Sequence, residues 1–146
     1  MNRRIRQAYP GQSRTGFQEI EHTADWALNV WAPNLTELFV QAAQGMYTLS
    51  GTHLQSGPRL ARSLTVDGDD SESLLVNFLS ELLFFGEQDG FAFDSFDLSL
   101  GKERLHARIE GAQIASQQKE IKAVTYHNLE VRSTQRGLEV TIVFDV

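Results

Sequence analysis

The sequence predicts a single α+β domain in which two amphipathic helices pack on antiparallel β-sheet. Two segments have apolar residues at helical spacing, and an alternating segment typical of a strand separates them. After the second helix nearly all of the pattern alternates, which indicates grouped antiparallel strands. The order β, β, α, β, α and then several β favours α+β over a doubly wound parallel sheet. A chain of 146 residues, 41% of them hydrophobic, suits one domain with one core.

The charge is unevenly distributed along the chain. Residues 1–15 contain four arginines and no acidic residue, so the remaining residues carry a net charge of −10. We expect residues 1–15 to form a basic, disordered leader and residues 16–146 to form the domain. An acidic domain is a poor sequence-independent binder of nucleic acid and suits a metal ion or a basic protein partner better. Contact between the leader and RNA is a second, less favoured interpretation.

The composition also indicates in which cellular compartment the protein is found. The chain has no cysteine, which excludes disulfides, zinc–thiolate sites and thiol nucleophiles and fits a reducing environment. No apolar run approaches the roughly 18 residues that a transmembrane helix needs, and no apolar segment of the signal-peptide type follows the first arginines. We expect a soluble cytoplasmic protein with no membrane partner.

The elements follow in order from these patterns. Phe17 and Ile20 indicate one short strand, and the apolar residues from Leu28 to Trp31 indicate a second, which Pro33 ends.

Each predicted helix begins at a capping residue. The first helix is predicted over Leu35–Ser50 with Asn34 as its N-cap. The second is predicted over residues 71–87, with Asp70 or Ser71 as its cap.

The remaining segments are predicted strands. Residues 91–100 contain one or two strands, and a Thr134-to-Gly137 turn is predicted to join the last two strands as a hairpin. The other predicted strands are 60–66, 105–110, 121–132 and 138–144.

Ionisable residues occupy the segment between the first two predicted strands, where His22, Thr23 and Asp25 stand. A strand end can hold a side chain rigidly and still expose it. Ordinary turn hydrogen bonds from Thr23 and Asp25 explain the same pattern. A single aspartate binds a metal ion weakly, so a metal site here requires partners.

The last two residues supply candidate partners. Ile142 and Phe144 belong to the apolar face of the final predicted strand, so Asp145 faces the other way. The terminal carboxylate of Val146 follows at once, and two neighbouring negative groups repel unless a cation or a lysine neutralises them. Together with Asp25 they would form an oxygen-only site for a divalent cation. A solvated strand end is the alternative interpretation.

The segment 122–127 mixes polar and apolar residues on both faces of a predicted strand. One face has Lys122, Val124 and Tyr126, and the other has Ala123, Thr125 and His127. Such a mixture is expected where a sheet edge lines a site. An edge strand whose lysine discourages aggregation explains it equally well.

The sequence lacks the motifs of several other functional classes. The sequence has no glycine-rich phosphate or dinucleotide loop and no Gly-x-Ser-x-Gly nucleophile elbow. Its four histidines do not have zinc-type spacing.

Four segments, in order, resemble the archease family. They are FQEIEHTAD at 17–25, LLVNFLSELLF at 74–84, KAVTYH at 122–127 and VFDV at 143–146. The resemblance covers residues 16–146.

The resemblance implies an accessory protein and not an enzyme, so no catalytic residue is assigned. Archeases assist the RtcB-type RNA ligase, which joins RNA ends in tRNA splicing and RNA repair with GTP and Mn²⁺. They promote guanylylation of the ligase and its multiple turnover, and RNA is contacted only indirectly. The resemblance also implies a divalent cation, Ca²⁺ in the usual assignment, on Asp25, Asp145 and the terminal carboxylate of Val146.

Two hypotheses follow. In the favoured one, the metal-binding protein activates the ligase through a surface made of His22, Lys122, Thr125, Tyr126 and His127. In the alternative, the protein is a small metal-dependent hydrolase that uses the same carboxylates with His22 or His127 as base. An activator does nothing to RNA by itself, so an assay without the partner distinguishes them.

Overall fold

The computed structural model describes residues 14–20 and 26–146. Its elements are β1 (Gly16–Ile20), β2 (Trp26–Ala32), α1 (Leu35–Ser50), β3 (His53–Leu54), β4 (Leu60–Asp67), α2 (Ser71–Asp89), β5 (Phe91–Leu100), β6 (Arg104–Ser116), β7 (Ala123–Val124), β8 (Arg132–Thr134) and β9 (Gly137–Asp145). Two helices packed on antiparallel sheets confirm the predicted α+β class.

The first sheet is built around β9. Strand β2 pairs with one edge of β9 from Trp26 opposite Phe144 to Ala32 opposite Leu138, and β1 continues the sheet beyond β2. The other edge of β9 is shared by two short strands, β7 near its end and β8 near its beginning. All of these pairs are antiparallel.

The second sheet is built around β6, which pairs with β5 on one edge and with β4 and β3 on the other. The register of β5 shifts between Phe93 and Ser95. Beside this irregularity, a Cβ atom on Gly111 would overlap the carbonyl oxygen of Ala92. Only glycine therefore permits the two backbones to approach so closely here.

The core lies between the helices and the two sheets. Phe39 of α1 and Phe78 of α2 are fully buried, and their ring centroids lie 6.0 Å apart. Phe96 of β5 meets Phe78 edge-on at 6.3 Å. These aromatic contacts connect both helices to the second sheet.

The helix predictions are confirmed with one change of length. Helix α1 covers the predicted residues, and the side chain of Asn34 accepts a hydrogen bond from the backbone N–H of Glu37 at 2.9 Å. Helix α2 continues two residues beyond residue 87, to Asp89, because the chain turns into the left-handed region only at Gly90 (φ 72°). Of the two candidate caps, Asp70 is the N-cap.

The strand predictions need several corrections. Strand β3 was not predicted, and β6 continues to Ser116, beyond the predicted residues 105–110. Residues 91–100 form a single strand, and the hairpin through Thr134 and Gly137 is confirmed. The strand predicted over residues 121–132 is wrong, since only Ala123–Val124 pairs as β7 and Arg132 already belongs to β8. Both short strands share one edge of β9, and between them the chain turns, with Asn128 at φ 51°.

Neither helix in the described part of the chain combines the length and the apolar character needed to cross a membrane.

Candidate functional site

One end of the first sheet brings three strand ends together. Phe144 of β9 is paired with Trp26, the first residue of β2, on one side and with Val124, the last residue of β7, on the other. Asp145 is paired with Ala123. The beginning of β2, the end of β9 and the whole of β7 therefore meet along one row of the sheet.

The end of β9 holds an exposed carboxylate on a buried strand. Phe144 is fully buried whereas Asp145 is exposed, as the alternation along the final strand predicts. The carbonyl oxygen of Asp145 accepts a hydrogen bond from the backbone N–H of Lys122 at 2.8 Å. The side chain of Val146 packs against the core. The hydrogen bond from Lys122 thus fixes the backbone of Asp145, and contacts with the core fix the following residue, Val146.

Thr125 holds the turn that follows β7. Its backbone N–H and its hydroxyl both donate to the carbonyl oxygen of Val143, each at 3.0 Å. The same hydroxyl accepts a hydrogen bond from the backbone N–H of His127 at 3.2 Å. The hydroxyl of Thr125 is therefore engaged in closing the turn, and it positions the residues around it.

The turn presents Tyr126 and His127 to solvent. Tyr126 is 57% exposed, and its carbonyl oxygen accepts a hydrogen bond from the N–H of Leu129 at 3.1 Å. Nε2 of His127 lies 3.3 Å from Nδ2 of Asn128. Further along, the N–H of Val131 donates to the Glu72 carboxylate at 2.8 Å, which ties the segment to α2. Both ends of the turn are anchored, so the backbone that carries its exposed side chains is held in place.

The first predicted motif lies between β1 and β2 in the sequence. His22, Thr23 and Asp25 lie outside the described residues. Among residues 14–20 and 26–146, no group of three or more histidine, aspartate and glutamate side chains could hold a metal ion. Asp25 immediately precedes Trp26 in the sequence, and Trp26 is the residue paired with Phe144.

Sequence reasoning missed the connector between β6 and β7. The N–H groups of Gln118 and Lys119 donate to the carbonyl oxygen of Ser50 at 3.0 and 3.1 Å, which fixes the connector on the end of α1. The Lys119 ammonium lies 5.7 Å from the ring centroid of Trp26, a cation–π contact beside the candidate site. The polar composition of this connector suggested only a loop, because its contacts are with residues distant in sequence.

The chain matches a known family over nearly its whole length. The model of the Archease protein family (MTH1598/TM1083) matches residues 17–146. Protein archease of Methanosarcina acetivorans is 32% identical over 146 residues, which cover 94% of this chain and 99% of that protein. Protein archease of Methanopyrus kandleri is 32% identical over 123 residues, which cover 79% of this chain and 88% of that protein.

Two solved structures have the same fold. The crystal structure of an archease and possible chaperone from Thermotoga maritima superposes with a TM-score of 0.65 at 22% identity, covering 87% of this chain and 94% of that one. The solution structure of Methanobacterium thermoautotrophicum protein 1598 gives a TM-score of 0.66 at 22% identity, with 89% and 98% covered. With the match of the family model to residues 17–146, these likenesses lead to one conclusion: the chain belongs to the archease family.

Proposed function

We propose that this protein is a metal-binding activator of an RtcB-type RNA ligase. In this proposal it acts in the cytoplasm, in tRNA splicing and RNA repair, and promotes guanylylation and multiple turnover of the ligase. Membership of the archease family supports an accessory role. The ligase, with its GTP and Mn²⁺, supplies the catalytic chemistry, and RNA is contacted through the ligase.

The observation that carries the proposal is the pairing of β7 with the end of β9. The antiparallel register puts Ala123 opposite Asp145, and the N–H of Lys122 bonds to the Asp145 carbonyl. Two motifs that are separated in sequence thereby form one edge, and this edge carries the exposed residues Lys122 and Asp145. A fold that needed only a core would not require exposed ionisable residues where these two strands meet.

The proposed cation ligands are Asp25, Asp145 and the terminal carboxylate of Val146. Oxygen-only donors fit a hard cation, so Ca²⁺ is the proposed ion. The anchored end of β9 supports this set, because the packed Val146 side chain restricts where the following carboxylate can lie. When bound, such an ion would supply positive charge at an otherwise acidic edge.

The proposed contact surface for the ligase consists of His22, Lys122, Thr125, Tyr126 and His127. Within it, Tyr126 offers a large exposed ring on an anchored turn, which is the kind of residue that dominates protein interfaces. Lys122 offers a point charge for phosphate groups at the partner's nucleotide site. Thr125 acts by positioning, since its hydroxyl is already bonded within the turn.

RNA ligation by a cognate RtcB-type ligase, with GTP and Mn²⁺, tests this function. We expect substoichiometric amounts of this protein to increase the number of turnovers that the ligase completes. The protein without the ligase should leave the RNA unchanged. An unchanged ligase turnover, or cleavage of RNA by this protein alone, would contradict the proposal and favour the hydrolase alternative.

A further inference from the structure

A small cavity opens beside the proposed ligase surface. It lies between the last turns of α1 and α2 and the connector that leads to β7, and it has a volume of about 140 Å³. Lys122 is part of its lining, so the cavity and the proposed surface are continuous. Pockets that enclose a whole small-molecule ligand are typically about 300–1,000 Å³. This cavity therefore suits a single inserted side chain better than an independent ligand.

The lining changes from apolar to acidic between the floor and the rim. The floor includes the buried side chains of Met46, Leu82 and Ile121. The rim includes the exposed carboxylates of Glu87, from α2, and Glu120, from the connector. A guest that matches both parts has an apolar stem or face and a positively charged head.

Tyr47 of α1 also lines the cavity, but its hydroxyl oxygen is buried out of reach of solvent. Burial raises the pKa of this hydroxyl. The charged groups that a guest can reach are therefore those of the rim.

We propose that this cavity receives an arginine side chain of the protein partner. Among cationic side chains, arginine has a planar head whose faces tolerate apolar contact and whose five N–H groups can serve several acceptors at once. The carboxylates of Glu87 and Glu120 are the acceptors that the rim provides. Arginine is also enriched among the residues that dominate protein interfaces.

The charge of the domain agrees with a basic guest. Residues 16–146 carry a net charge of −10, so a positively charged partner is attracted over a distance as well as at contact. At the rim the single ammonium of Lys122 is outnumbered by the carboxylates of Glu87 and Glu120. The partner assignment rests on the proposed function, with the ligase as the protein that supplies the arginine.

The first experiment tests the cavity without the ligase. N-acetyl-arginine amide is titrated into the full chain, and backbone amide shifts are followed by NMR, with N-acetyl-norleucine amide as the probe that lacks the guanidinium group. We expect saturable shifts at Gly86 and Ile121 with the arginine probe. The double variant Glu87→Gln/Glu120→Gln should bind it at least about tenfold more weakly, since charge-assisted hydrogen bonds are lost.

The matched control is Glu81→Gln/Glu103→Gln, which removes the same charge from exposed positions outside the cavity lining. It should bind the arginine probe as the unmodified protein does. Equal shifts with both probes, or equal binding by both double variants, would overturn the cavity proposal. Circular dichroism confirms that each variant is folded.

The second experiment measures affinity for the ligase by calorimetry. We expect Glu87→Gln/Glu120→Gln to weaken that binding about tenfold and the control variant to leave it unchanged. If the unmodified protein binds the ligase and both variants bind equally well, the cavity is not the contact and the proposed function survives. If the unmodified protein takes up the arginine probe but does not bind the ligase, the proposed function fails, and the partner assigned to the cavity fails with it.

Discussion

Val146 and Asp145 have opposite environments although they are neighbours. The valine side chain packs against the core, and the aspartate is exposed to solvent. At the scale of the residue, the proposed cation site therefore depends on where the carboxylates of Asp145 and Val146 lie as much as on their presence in the sequence. A carboxylate that is displaced along the strand would no longer meet the ion.

Extending the chain beyond Val146 should weaken Ca²⁺ binding. The extension converts the terminal carboxylate into a neutral amide carbonyl, whereas deleting Val146 moves the charge by about 3.3 Å along the strand. A tag at the other end of the chain is the control and should leave Ca²⁺ affinity unchanged. Calorimetric titration compares the two tagged proteins. Equal affinity would mean that the terminus is not a ligand.

Replacing Lys122 by alanine should separate partner activation from folding. The side chain is exposed, and the hydrogen bond to Asp145 comes from the backbone, so pairing of β7 with β9 is retained. We expect stability and Ca²⁺ binding to persist while stimulation of guanylylation falls roughly tenfold, the effect of losing one charged contact. Lys102→Ala, in the β5–β6 turn of the second sheet, is the matched control. Full stimulation by Lys122→Ala would leave this lysine with a structural role only.

At the scale of the element, the helices were predictable because their signals are local. The apolar spacing of α1 and the pairing of Asn34 with Glu37 involve residues within one or two turns. Strand β7 was not predictable in the same way. A strand needs a partner edge, and on that edge of β9 the chain pairs only at two places, β7 with Phe144 and Asp145 and β8 with Gly137–Glu139. Pairing between distant segments leaves no mark in the local sequence.

Gly111 in β6 should be among the least replaceable residues. A Cβ atom there would overlap the carbonyl of Ala92 in β5, and the bulge beside it leaves little room to move. We expect Gly111→Ala to lower the free energy of unfolding by about 3 kcal/mol, as overpacking of a rigid site does. Gly57→Ala is the control, because nothing lies within 4 Å of its added Cβ. Urea unfolding of both variants checks this, and similar midpoints would show that the strands can separate at low cost.

At the scale of the whole molecule, Phe78 connects three parts of the fold. It is fully buried and contacts Phe39 of α1 and Phe96 of β5. Phe78→Asp should prevent folding, because it places an unpaired charge in the core. Phe84→Asp makes the same change on the same helix at a residue that is 53% exposed, and it should stay folded. Cooperative thermal melting of Phe78→Asp would show that this core is not essential.

The candidate site was predictable only where its features follow from a local sequence pattern, as was the fold. The exposure of Asp145 follows from alternation within one strand, which the sequence displays. The neighbouring position of Lys122 follows from the register of β7 against β9, which it does not display. The cavity lined by Tyr47, Glu87 and Glu120 joins three separate segments, so no local pattern could indicate it. The role of Asp25 in the cation site stays a prediction.

The pairing of β2 with β9 has a consequence for the kinetics of folding. A hydrogen bond from Asn29 to Thr141 spans 112 residues, whereas β5 and β6 are joined by a short turn. Closing a long loop costs entropy before its contacts can compensate, so we expect the β5–β6 hairpin to form early and the β2–β9 ladder late. The edge that carries Asp145 would then be completed in the last step. Ca²⁺ bound at the proposed site would therefore slow unfolding more than it speeds refolding.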